Sequence, residues 1–212
     1  MSDLFDQLGL AEEPPRPVVR DARDFEVREV LDRPVLVGRV PDEVLEAIPF
    51  DVAWDLHPPE YPTVQMAGKP TRLPRWQQPY DKDYVFSGQR NEAVPLPEAL
   101  RPFSDWAQGV YAKFNGVLLN WYDADLGNYI GAHRDSTVGL VHMSPILTAS
   151  LGATRVFRLR RFKQPGPFVD IEVRHGDAVL LPWVTNQALA HEVPHLARHP
   201  GRRISLTARA FA

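Results

Sequence analysis

His133, Arg134 and Asp135 place an imidazole and a carboxylate two residues apart. On an extended strand, positions i and i+2 project to one face, so the pair could meet one metal ion while Arg134 turns away. The same spacing also fits a surface pair or a simple hydrogen bond, so the reading needs a third donor. The other histidines are the candidates. Among them His191, in His191-Glu-Val-Pro, follows shortly after a strand-like apolar run at 178–181. Two imidazoles and a carboxylate on one face of a metal leave three positions open, which suits Fe(II) and oxygen chemistry.

The C-terminal segment carries a second signal. Ile204, Leu206, Ala208 and Ala210 alternate with Arg203, Ser205, Thr207 and Arg209, and Phe211 ends the run. On a surface strand two arginines need no explanation. In a barrel interior, two guanidinium groups demand anionic partners. A ligand bearing two carboxylates would satisfy both, because arginine grips a carboxylate through two parallel N–H groups. Asn120 and Tyr122, again two apart, would add neutral hydrogen bonds to it. An iron triad beside a diacid pocket describes a 2-oxoglutarate-dependent oxygenase, which also takes O2. A zinc hydrolase would use the triad but leave Arg203 and Arg209 unexplained.

These residues must be positioned by many short elements, since 21 prolines punctuate the chain. Residues 41–48 read as a short helix, with Pro41 at its first turn and Asp42 and Glu43 favourable to its dipole. Residues 97–115 read as a second helix, with Leu100, Phe103, Trp106, Ala107, Val110, Tyr111 and Phe114 on one face. After Gly116 the period becomes two, with strands expected at 117–122, 146–151, 154–161, 168–173, 178–181 and 203–211. Helices followed by strands predict an α+β, mainly β fold: a jelly roll at 116–212 buttressed by N-terminal helices. Residues 1–24 are polar and proline-interrupted, predicting a loosely ordered arm before a single domain at 25–212.

Composition narrows the class. Without cysteine, thiolate metal sites and disulfides are excluded. No apolar run approaches a membrane span, and the N-terminus lacks a secretory pattern, so a cytoplasmic protein is expected, with no membrane role and no obligate protein partner evident. Residues 1–50 carry 12 acidic and 6 basic side chains, and the remainder 15 and 18. Two basic clusters, Lys69/Arg72/Arg75 and Arg155/Arg158/Arg160/Arg161/Lys163, would suit a phosphate backbone or form solvated faces.

From residue 63 to 211 the sequence resembles the AlkB family of 2-oxoglutarate-dependent nucleic-acid dealkylases. The resemblance rests on Asn120-Trp-Tyr122, Ile130-Gly-Ala-His-Arg-Asp135, Ser150-Leu-Gly, His175-Gly-Asp177, Thr185-Asn186, His191-Glu-Val-Pro194 and residues 203–211. It implies a double-stranded β-helix, with His133, Asp135 and His191 as ligands of a catalytic Fe(II). It further implies that Asn120, Tyr122, Arg203, Ser205 and Arg209 hold 2-oxoglutarate, with Arg203 rather than Arg202 on the pocket face. Residues 63–92, including Pro74-Arg-Trp-Gln-Gln-Pro-Tyr80 and Tyr84-Val-Phe-Ser-Gly88, look like the family's nucleotide-recognition lid. By that resemblance Arg75, Tyr84, Phe86 and Ser87 meet the substrate, with Phe86 packing on a flipped base. The activity implied is oxidative demethylation of alkylated bases in DNA, ahead of RNA, with release of succinate, CO2 and formaldehyde.

Two positions depart from the family pattern. Ser205 stands where asparagine is usual. Ser136 and Thr137 stand where an acidic residue commonly reads the amino group of a methylated adenine or cytosine. That second departure keeps open a hydroxylase of a protein or small molecule. A non-catalytic nucleic-acid-binding module is the reading furthest from these residues, since ligands and arginines are all present.

Overall fold

The computed structural model describes residues 15–66, 68–86 and 88–212. Its core is two antiparallel sheets. The larger has seven strands in the order β1 (Glu26–Val30), β2 (Arg33–Arg39), β13 (Asp177–Leu181), β10 (Ile146–Gly152), β15 (Arg202–Arg209), β8 (Gly116–Asp123) and β5 (Trp76–Tyr80). The smaller has four, in the order β12 (Phe168–Val173), β11 (Arg155–Arg161), β14 (Leu189–Val193) and β9 (Ile130–His133). Two hairpins stand apart from both: β3 (Thr63–Met66) with β4 (Lys69–Arg72), and β6 (Tyr84–Phe86) with β7 (Gln89–Asn91). The expected jelly roll with buttressing helices is what the chain builds.

Strict alternation gives the larger sheet two buried faces. Val117, Leu119 and Trp121 of β8, and Ile204, Leu206 and Ala208 of β15, share one core with Phe103, Trp106, Ala107 and Val110 of the helix Arg101–Val110. The opposite face packs toward the smaller sheet, where Tyr122, Val179 and Leu181 meet Phe157, Leu159 and Val193. Helices therefore cover one side of the sheet, and the other side is free to line a cavity. Trp121 donates its indole N–H to the Ala53 carbonyl at 2.9 Å and Trp106 donates to that of Val19 at 2.8 Å, so both large rings are satisfied while buried.

Gly152 closes β10 with a positive φ of 86°, and a Cβ there would lie 2.4 Å from the Arg202 carbonyl and from the Phe50 ring. Only glycine fits that turn.

Several expectations are corrected. Residues 15–24 are not loose: Val18 bridges to Arg39, Val19 joins the core, and Arg16 pairs with Asp177 at 2.7 Å. Residues 1–14 of the expected arm lie outside the described residues. The helix expected over 97–115 begins with a 3-10 turn and stops at Val110, where Tyr111 turns extended, although Phe114 still reaches the core. Strands do not wait for residue 116 either, because β1, β2 and β5 supply three of the seven in the larger sheet. Their alternation is weak because β1 exposes most of its length and β5 contains Pro79.

Candidate active site

A cavity opens between the sheets. His133 and His191 face one another directly in the β9–β14 ladder, with ring centroids 4.4 Å apart. Asp135 was expected on the same strand as His133, but β9 ends at His133. Its carboxylate arrives by another route. The Asp135 N–H donates to Asn186 Oδ1 at 3.0 Å, and Asn186 Nδ2 donates back to the Asp135 carbonyl at 3.1 Å. Asn186 lies on the short helix Trp183–Ala188 between β13 and β14, so that helix clasps the loop and turns Asp135 inward. Asp135 Oδ1 then lies 3.8 Å from His133 Nε2 and 4.0 Å from His191 Nε2.

The donor chemistry suits a divalent metal. His133 Nδ1 lies 2.9 Å from the Gly131 carbonyl, to which it donates, leaving the Nε2 lone pair for an ion. Burial, and then His191, lower the His133 pKa to about 3, and burial lowers that of His191. Burial opposes ionisation of Asp135, but Arg209, His191 and His133 outweigh it and hold the carboxyl below its usual range. Near neutral pH the cluster offers two lone pairs and one negative charge. One ion can reach all three groups.

The floor of the cavity is the inward face of the larger sheet. Asn120 faces Ser205 across β8 and β15, Tyr122 faces Arg203, and Ser205 faces Ser150 on β10. Arg203 is 1% exposed and donates to Ser150 Oγ at 2.7 Å, with its guanidinium 5.2 Å from the Tyr122 ring centre. Its Nη1 is buried without a hydrogen-bond acceptor, and burial pushes its pKa down to about 10. Arg209 Nε is buried without an acceptor as well, while its Nη2 reaches Asp135 Oδ2 at 2.9 Å. The surface alternative for this strand is therefore overturned. Two buried cations with unmatched N–H groups need an anion, and a dicarboxylate meets that need.

Arg75, Tyr84 and Phe86 also line the cavity. Tyr84 lies within 3.5 Å of Asp135 Oδ1, and burial pushes its phenol up to about 12. Ser87 lies outside the described residues. Gln77 lines the cavity too and was not anticipated. Its place opposite Asn120 is set by the register of β5 on β8, which spacing along the chain does not disclose.

The basic clusters do not persist as drawn. Arg75 is buried in the cavity and leaves Lys69 and Arg72 exposed. In the second cluster Arg155 binds the carbonyls of Thr154, Pro200 and Gly201. Arg158 grips Asp170 through two hydrogen bonds, Arg160 pairs with Glu192, and Arg161 pairs with Asp32. The chain's own acids neutralise most of that face.

Residues 43–209 match the family model of the 2OG-Fe(II) oxygenase superfamily. The DNA oxidative demethylase ALKBH2 of Homo sapiens is 34% identical over 157 residues, covering 69% of this chain and 60% of that protein. Its Mus musculus counterpart is 34% identical over the same length, covering 65% of that protein. The chain thus spans less than two thirds of these relatives. The solved structure of OsALKBH1 superposes with a TM-score of 0.57 at 14% identity, covering 87% of this chain and 99% of that one, which supports the fold. No described helix is long and apolar enough to cross a membrane. With its two-sheet fold and buried His-Asp-His cluster, this chain belongs to the 2OG-Fe(II) oxygenase superfamily, in its AlkB branch.

Proposed function

We propose that the chain is an Fe(II)- and 2-oxoglutarate-dependent dioxygenase that oxidatively demethylates alkylated bases in DNA. One observation carries the reading: a buried His133–Asp135–His191 cluster shares its cavity with Arg203 and Arg209, each of which keeps a buried N–H without an acceptor. His133, Asp135 and His191 would hold the iron. Asn120, Tyr122, Arg203, Ser205 and Arg209 would hold the cosubstrate. When bound, Fe(II), 2-oxoglutarate and O2 supply oxidation of a substrate C–H bond, with succinate and CO2 as by-products. An N-methyl group so hydroxylated leaves as formaldehyde.

The protein's own contribution is positioning. The Asn186 clasp holds the Asp135 backbone, Gly131 fixes the His133 tautomer, and the sheets exclude water from both arginines. The two separate hairpins, β3–β4 and β6–β7, would form the nucleotide lid, and half-buried Phe86 would stack on an extruded base. DNA is favoured by the activity named for the ALKBH2 relatives. The neutral Ser136 and Thr137 favour a second reading, hydroxylation of a protein or small molecule. Iron-loaded protein with 2-oxoglutarate and a panel of methylated oligonucleotides separates the two. Formaldehyde release supports base repair, whereas no release from any oligonucleotide would move the substrate outside nucleic acids.

A further inference from the structure

We propose that Arg75 is a positioning residue for the cosubstrate, turning the side-chain amides of Asn120 and Gln77 so that both present NH2 groups to the cavity. This rests on the reading that the cavity takes 2-oxoglutarate. Arg75 is 3% exposed and hydrogen-bonds to both amides. Its Nε donates to Asn120 Oδ1 at 2.8 Å, and its Nη2 donates to Gln77 Oε1 at 3.0 Å.

A guanidinium has five N–H donors and no acceptor. Whatever an amide turns toward it must therefore be oxygen, which settles an O/N choice that shape alone leaves open. Asn120 and Gln77 face one another across β5 and β8, and both line the cavity. With their oxygens held by Arg75, their NH2 groups remain for the ligand. Arg203 and Arg209 add further unmatched donors to the same lining.

A carboxylate accepts hydrogen bonds and donates none, so an anion cradle must consist of donors. An amide is ambivalent, because rotation by half a turn replaces the donor with an oxygen that repels the anion. Arg75 removes that ambivalence twice. The role differs from a phosphate contact by an exposed cluster, because Arg75 lies inside the cavity.

The test is anaerobic titration of Fe(II)-loaded protein with 2-oxoglutarate, read by calorimetry and by the visible absorbance of the chelated metal. Arg75→Met should raise the 2-oxoglutarate Kd by about tenfold, as loss of a charge-assisted hydrogen bond does. Fe(II) affinity should change by less than about threefold, since no group that meets the metal has changed. In an Asn120→Ala, Gln77→Ala background no amide remains to orient, so Arg75→Met should add less than about twofold. Arg75→Lys keeps a buried cation and serves if the methionine variant does not fold. Having fewer donors in reach, it should still raise Kd by about threefold or more.

An unchanged Kd with a raised KM for oligonucleotide would place Arg75 on the substrate and overturn the inference. An equal effect in the amide-free background would assign the loss to charge rather than orientation, and would also overturn it. A wild-type protein that binds no 2-oxoglutarate would remove the proposed function itself, and this inference with it.

Discussion

Arg209 donates to Asp135 across 2.9 Å, and neither side chain is more than 5% exposed. The contact joins the proposed cosubstrate clamp to the proposed metal ligand. Burial disfavours both charges, yet each sustains the other: Arg209 holds the Asp135 carboxyl down, and Asp135 raises Arg209. Arg209→Met should destabilise the metal-free protein by about 3–5 kcal/mol, because it strands a buried carboxylate. A divalent ion replaces the missing cation, so Mn(II) should raise the melting temperature of the variant more than that of the wild type. The variant should also lose one to two decades in 2-oxoglutarate affinity, or about 1.5–3 kcal/mol. Equal metal-free stability of the two proteins would show that the pair contributes nothing.

The ligand assignment has internal controls. Alanine at His133, Asp135 or His191 should abolish 2-oxoglutarate turnover and weaken Fe(II) binding by more than about tenfold. Alanine at His142, which packs on Trp183, or at His195 or His199, should leave turnover within about twofold, as for sites remote from the chemistry. Iron binding and turnover that survived His191→Ala would show that the third ligand lies elsewhere.

The same cluster fixes a pH dependence. Burial, and then His191, depress His133 to about 3, and His191 is depressed by burial. Both imidazoles are therefore unprotonated in the folded protein near neutral pH, and Asp135 is ionised. Mn(II) binding at pH 7 should release fewer than about 0.3 protons, by calorimetry in buffers of different ionisation enthalpy. Folding shows the complementary sign. A histidine whose folded pKa lies below its unfolded value of about 6.5 leaves the unfolded chain binding more protons, so stability is present above 6.5 and lost as pH falls toward the folded value. The urea midpoint of the metal-free protein should fall between pH 7 and pH 5. A midpoint that rose over that interval would contradict the burial of these rings.

The elements differ in how far their sequences disclose their roles. The C-terminal strand was legible as two faces, because alternation separates Ile204, Leu206 and Ala208 from Arg203, Ser205 and Arg209, but that the second face lines a cavity and not the surface follows only from the packing of the two sheets. The histidine pair was legible as types, but its exact opposition across β9 and β14 depends on register, which is a tertiary property. Asp135 reached the site without the strand it was expected on, through a clasp by Asn186 from a distant helix. The Arg75 network was hidden, since cluster membership by spacing cannot tell a buried arginine from its exposed neighbours Lys69 and Arg72.

The proposed base platform predicts two separable effects. Phe86→Ala should cost about 1–3 kcal/mol in binding a methylated oligonucleotide, with little dependence on salt, because stacking carries no net charge. Neutralising Lys69 and Arg72, both exposed on β4, should instead flatten the salt dependence of binding, as loss of phosphate contacts does. Background 2-oxoglutarate turnover should be unaffected in both. Demethylation by Phe86→Ala at the wild-type rate and affinity would misplace the base pocket.

The charge of the cavity predicts which lesions it favours. Its lining carries three arginines, Arg75, Arg203 and Arg209, against a single carboxylate, Asp135. The two carboxylates of 2-oxoglutarate would balance Arg203 and Arg209, and Asp135 would be engaged by the metal. Arg75 and the one charge of Fe(II) that Asp135 does not cancel then remain as surplus positive charge, and Ser136 and Thr137 offer no carboxylate at the start of the following loop. Methylation at N1 of adenine yields a cation at neutral pH, whereas methylation at N3 of thymine leaves a neutral base with two carbonyl oxygens. At an effective dielectric constant of about 20, each surplus unit charge would cost a cationic base on the order of 1–2 kcal/mol at separations of about 10 Å, before screening. Solvent and salt reduce that figure, so about tenfold in kcat/KM is expected to survive. The protein should therefore demethylate 3-methylthymine in DNA about ten times more efficiently than 1-methyladenine, a preference in keeping with Coulomb repulsion inside a partly dry site. Ser136→Asp supplies the missing carboxylate and should narrow or reverse that ratio without changing the 2-oxoglutarate Kd. Formaldehyde release from the two oligonucleotides, measured side by side, decides the matter. A wild-type preference for the cationic base would mean that the surplus charge is screened from the substrate and that the neutral loop residues do not set the choice.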